Sequence, residues 1–190
     1  LAEAGVADAP ENGGSWLMVA SDRLDEFGLF TPTDADYAYA GKMMTEATRR
    51  DPSRAQALVN LARKRLADYE RNPATDGGRA ALADATTYAA TAVEAAPDNG
   101  EARIVGARAL VFGGDVAGAE ALLRKELETR PRSFAATVDL SDLLDRAGRK
   151  DEAAELRARA LERAEDDAAK ASVDVATYRA IAFLRLSLGR

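Results

Sequence analysis

The sequence predicts an all-α fold, an α-solenoid built from a repeated helical hairpin. Alanine makes up nearly a quarter of the 190 residues, while β-branched and aromatic residues are sparse. That composition favours helix over sheet. Pro97 and Pro131 stand 34 residues apart, and the segments after them align without gaps. Such a period, in a helix-rich chain, is the signature of stacked helix pairs that bury one face on the next pair.

Taken in order, residues 1–14 hold three acids, no bases and three glycines, and read as a flexible acidic tail. The repeat domain is expected over 15–190. Trp16, Phe27 and Phe30 fall in an irregular opening hairpin over about 16–50, where aromatics can cap an otherwise open core face. Thr33 followed by Asp36 makes a capping-box start, and Ala40, Met44 and Ala47 keep helical spacing up to the break at Asp51-Pro52-Ser53. Tyr37 and Tyr39 fall on opposite faces of that helix.

The next hairpin, 53–96, is longer than the period. Pro52 and Pro97 are 45 residues apart, 11 more than one repeat. The small residues Ala62 and Ala85 bracket the excess, which therefore extends both helices, closing through Asn72-Pro73-Ala74-Thr75-Asp76-Gly77-Gly78. The hairpins at 100–129 and 133–168 carry the clearest repeat. Ala107, Leu110, Gly114, Ala119, Leu123 and Leu127 align with Ser141, Leu144, Gly148, Ala153, Arg157 and Leu161. Gly114 and Gly148 fall where a first helix must stop and turn. A final helix over 173–189 repeats the opening pattern in Ala176, Tyr178, Ile181 and Ala182, and Gly189 takes the turn position.

On these residues the chain resembles the tetratricopeptide-repeat family. Leu140, Gly148, Ala153, Ala160 and Leu161 follow the family pattern, and the likeness covers roughly 16–190. Departures are Arg103 in place of a leading aromatic and Glu126 in place of an alanine. The resemblance implies a right-handed superhelix whose concave groove is lined by the first helix of each hairpin. It also implies a non-catalytic scaffold that binds a protein or peptide there.

Composition limits the alternatives. The 26 basic and 32 acidic residues are interleaved, giving a net charge of −6 and no clustered nucleic-acid footprint. With neither cysteine nor histidine, there is no disulfide, no zinc site of Cys or His, and no imidazole base. No phosphate-binding glycine loop occurs, and pairs such as Asp166-Asp167 are neighbours that diverge on a helix. No cofactor or metal is expected, and no apolar run approaches the roughly 20 residues of a membrane span. An enzyme using only carboxylates and arginines is the rival from another class. Leu1 in place of Met points to a processed or trimmed N-terminus, and many arginines beside five lysines suggest a GC-rich bacterial source. Cytoplasm and periplasm both stay open.

Under the family register, the groove would present Gln56, Asn60 and Arg63, then Glu101 and Arg108, then Asp142, and finally Arg179. Val59, Ile104, Val105, Phe112, Val138, Asp139, Arg146 and Phe183 fall on the same faces. Arginine can fork a carboxylate, and asparagine can satisfy the amides of an extended ligand. Val59 stands where the family's carboxylate-clamp members carry lysine, which argues against an acidic chain terminus as ligand. Two further readings stay open: a module of a larger protein, or homo-oligomerisation through the terminal helix.

Overall fold

The computed structural model describes residues 33–170 and 175–189. The acidic tail, Trp16, Phe27, Phe30 and the start of the first hairpin lie outside the described residues. Among those described there are eight α-helices and no strand. They are α1 (Asp34–Arg50), α2 (Ala55–Arg71), α3 (Asp76–Ala95), α4 (Gly100–Gly113), α5 (Val116–Thr129), α6 (Phe134–Arg146), α7 (Lys150–Lys170) and α8 (Val175–Ser187). A single 3₁₀ turn, Pro52–Arg54, joins α1 to α2.

Local chemistry sets these boundaries. The Asp36 amide donates to Thr33 Oγ1 (3.3 Å) while Asp36 Oδ2 accepts from the Thr33 amide (2.9 Å), a reciprocal cap on α1. The Ser53 amide donates to Asp51 Oδ1 (3.1 Å), so the chain turns at Pro52. The α2–α3 connection is shorter than the Asn72–Gly78 stretch suggests. Thr75 Oγ1 accepts from the Gly78 amide (3.0 Å), which draws Asp76, Gly77 and Gly78 into the first turn of α3. The residues in excess of one repeat thus become helix: α2 has 17 residues and α3 has 20, against 14 for α4.

Gly114 and Gly148 terminate α4 and α6 in the same way. Their φ angles are +86° and +78°, in the left-handed region that a Cβ disfavours. The Asp115 amide reaches back to Leu110 O and the Arg149 amide to Leu144 O, each at 2.9 Å, closing two Schellman turns one period apart.

The chain divides into two compact units, residues 1–115 and 116–190. The boundary falls at the turn inside the segment expected as the 100–129 hairpin. In the first unit α2 and α3 form the central pair, with α1 and α4 packed on them. Its core joins Tyr37, Met44, Leu58, Val59, Leu61, Ala62, Ala85, Tyr88, Ala89 and Val105. Ala62 and Ala85 are fully buried, so α2 and α3 approach closely over small side chains. In the second unit α6 packs on α5 and α7, and α8 packs on α7. Ala119, Leu123, Leu140, Leu144, Ala153, Leu161 and Leu184 are buried there.

Candidate functional site

Four of the expected groove residues meet on α2 and α4. Gln56, Asn60 and Arg63 follow one another at four and three residues, which places them on one face of α2. Gln56 Nε2 donates to Asn60 Oδ1 (3.3 Å) and to Glu101 Oε2 (2.5 Å), and Arg63 Nη2 donates to Glu101 Oε1. Asn99, which caps α4 by accepting from the Ala102 amide (3.1 Å), also donates to Gln56 Oε1 (3.2 Å). Asn99 lies outside the groove faces expected from the sequence. Its one signal was the capping position itself.

All four of those groove side chains are exposed, and Arg108 is exposed on the same face of α4, seven residues beyond Glu101. At the far end of this face Phe112 packs on Tyr69, ring centroids 5.2 Å apart. The result is a polar lattice bordered by aromatics. Donors and acceptors are already matched within it, so the Arg63 charge is largely answered by Glu101.

Two expected groove residues are not there. Val59 is 0% exposed and Val105 is 2% exposed; both belong to the core. The exposed face of α2 is one residue narrower than expected, because position 59 is flanked by Leu58 and Ala62, which α2 turns inward. The buried Val59 also leaves no clamp position open at that place.

Beneath this face lies a charged core cluster. Arg65, 3% exposed, pairs with Asp34 (2.9 Å) from α1, Asp84 (2.9 Å) from α3 and Asp68 (3.6 Å) from its own helix. Its guanidinium sits 4.3 Å from the centre of the Tyr37 ring. Tyr88 Oη donates to Tyr37 O (3.1 Å). Burial, assisted by the Asp84 charge, pushes the Tyr88 hydroxyl up to about 12, and burial with the neighbouring Asp68 raises Tyr37 as well. The cluster ties α1 to α2 and α3.

In the second unit Asp142 accepts from Arg157 Nη2 (3.2 Å), together with Asp145 (2.7 Å). It is engaged by α7. Arg179 is exposed on α8, beside the exposed Val175 and Leu186. Val138 and Asp139 are half-buried, and Arg146 and Phe183 are exposed. A four-membered ion-pair ring links α5 to α7. Arg124 contacts Glu120 (2.7 Å) and Glu152 (2.5 Å), and Arg149 contacts the same two carboxylates (2.9 and 2.5 Å). Burial would raise the Glu120 carboxyl, but the hydrogen bonds from Arg124 and Arg149 outweigh it and hold the group below its ordinary value.

No group of His, Cys, Asp or Glu able to hold a metal occurs among the described residues, and none of their helices is long and apolar enough to cross a membrane. No protein-family model and no curated protein sequence matches the chain. Solved structures do. Two structures of MamA superpose with TM-scores of 0.60 and 0.61 at 16% identity; the first covers 88% of this chain and 86% of its own, the second 90% and 82%. A thermophilic TPR protein of Thermus thermophilus superposes with a TM-score of 0.59 at 20% identity, covering 97% of this chain and 87% of its own. The helical hairpins, the repeated left-handed glycine turns and these likenesses agree that the chain has the all-α solenoid fold of the tetratricopeptide-repeat proteins.

Proposed function

We propose that the chain is a non-catalytic interaction scaffold that holds a protein or peptide segment against the exposed face of α2 and α4. The observation that carries this is the lattice of Gln56, Asn60, Arg63, Asn99 and Glu101. Mutually positioned amides, a guanidinium and a carboxylate offer both donors and acceptors to the backbone of an extended or helical segment. Tyr69 and Phe112 supply apolar area at one end. Ordering such side chains before binding lowers the entropy that association must overcome. Asp142 and Arg179 enter this reading as contacts of the second unit taken by itself.

Changing Arg63 and Arg108 together to Ala should reduce recovery of partners from a lysate of the source cell at least several-fold, with helicity and melting temperature unchanged. Because these charges are exposed, recovery by the unaltered chain should also weaken as salt shortens the Debye length from about 10 Å towards 3 Å. If the double variant retrieves the same partners in the same amounts, the α2–α4 face is not the site.

A second reading rests on α8. Val175, Tyr178 and Leu186 are 68, 59 and 79% exposed and form an apolar stripe at helical spacing. We infer that this stripe supports self-association through α8.

A further inference from the structure

The second unit carries a channel that uses none of the residues expected to line a groove. Two cavities of about 320 and 290 Å³ share Pro131, Thr137, Ala160 and Arg163, so they run into one another as a single trough among α5, α6, α7 and α8. Its floor is apolar: Leu127, Leu140 and Leu156 in one half, Phe134, Ala164 and Leu184 in the other. The trough exists because α7 presents Ala160 and Ala164 where larger side chains would fill the gap between helices. Small residues on α7 thus leave a depression in the surface.

The rim has the opposite sign to the chain. Four arginines (Arg124, Arg132, Arg159 and Arg163) stand against Glu128 and Asp167, on a protein whose net charge is −6. Arg124 is held in the ion-pair ring and Arg132 by Asp167 (2.8 Å). Arg159 reaches Glu155 only at 3.4 Å with both side chains more than half exposed, a pairing of little strength. Arg163 donates to the backbone carbonyl of Pro131 (3.0 Å), and among the described residues no carboxylate pairs with it. Arg159 and Arg163 lie four residues apart and so face the trough as neighbours on one side of α7.

We propose that this trough is a second docking surface, whose occupant is a protein segment with a row of apolar side chains flanked by carboxylates. The apolar row fills the floor, and the carboxylates fork the guanidiniums of Arg163 and Arg159. The match of a cationic rim to an acidic segment decides the partner's chemistry, and the leucine and alanine floor decides that the segment is amphipathic. The surface goes beyond the α2–α4 face and uses different helices.

The test uses the full chain and two fluorescein-labelled synthetic helical peptides, one with leucine on one face and glutamate along its flanks, the other with lysine in place of every glutamate. Fluorescence anisotropy should show the glutamate peptide binding at least tenfold more tightly than the lysine peptide. Changing Arg159 and Arg163 together to Gln should reduce that binding at least tenfold, and Ala164→Phe, which fills the floor, should do the same. Arg63→Ala with Arg108→Ala should leave it unaltered. Amide hydrogen exchange on the unmodified complex should protect α7 near 156–164. Equal binding of the two peptides, binding of neither, no effect of the Arg159/Arg163 change, or protection confined to α2 and α4 would each overturn the proposal. The last outcome would favour the α2–α4 face for both kinds of segment.

Discussion

Gly41 shows how one atom decides the position of a helix. It lies in α1 under the ring of Tyr88, and a Cβ there would fall 2.1 Å from Tyr88 Oη. The ring cannot retreat, because Tyr88 is 7% exposed and its hydroxyl is bonded to Tyr37 O. Gly41→Ala should therefore lower stability by about 1–3 kcal/mol through overpacking, read from urea unfolding; an unchanged midpoint would show that α1 shifts freely on α3. The same tyrosine makes stability depend on pH. Its folded-state pKa is about 12, above the ordinary value near 10. The unfolded chain thus loses the proton first, so the stabilisation is intact below pH 10 and is lost as pH climbs from 10 through 12. The slope for this one group is at most about 1.4 kcal/mol per pH unit. Tyr88→Phe should flatten the alkaline limb of a stability–pH curve, and an identical limb in that variant would assign it elsewhere.

At the scale of helices, the departures from the repeat pattern turn out to be buried charges with local partners. Arg103, which replaces an aromatic, is 2% exposed and donates to Pro97 O. Glu126, in place of an alanine, is 2% exposed and accepts from Arg130 (2.9 Å). Arg157, opposite Leu123 in the alignment, is held by Asp142 and Asp145. Each charge ties a helix to an adjoining loop or helix where an apolar side chain would only fill space. Arg65 does this for three helices at once. Its removal leaves Asp84 (2.9 Å) without its cation, while Asp68 keeps Arg71 (3.1 Å), so Arg65→Ala should cost about 1–3 kcal/mol. Chemical denaturation measures this directly. A loss below about 1 kcal/mol would mean that the cluster reorganises around water.

At the scale of the molecule, each compact unit has its own buried core, and the exposed apolar residues concentrate on the last described helix. A stripe made of Val175, Tyr178 and Leu186 is costly to leave in water. If self-association covers it, the mass measured by light scattering should rise with concentration, and Tyr178→Glu with Leu186→Glu should return the chain to a monomer while preserving helicity. A chain that is monomeric at every concentration up to 1 mM, roughly the weak limit for a specific contact, ends that reading.

The amino-acid order alone determined the helical class, the 34-residue period, the cap at Thr33, the break at Asp51-Pro52-Ser53, and the glycine stops at Gly114 and Gly148. These are local properties: propensity, hydrogen bonds across three to five residues, and the freedom of a residue without Cβ. Helical spacing, a local rule, also puts Gln56, Asn60 and Arg63 on one side of a single helix. The hydrogen bonds from Gln56 and Arg63 to Glu101, the burial of Val59 and Val105, the three-helix hold on Arg65 and the trough beside Ala160 were decided only by tertiary structure. Each depends on the approach of segments tens of residues apart, and on whether a neighbouring helix covers a given side. Period and propensity leave that distance and rotation open, and packing closes them.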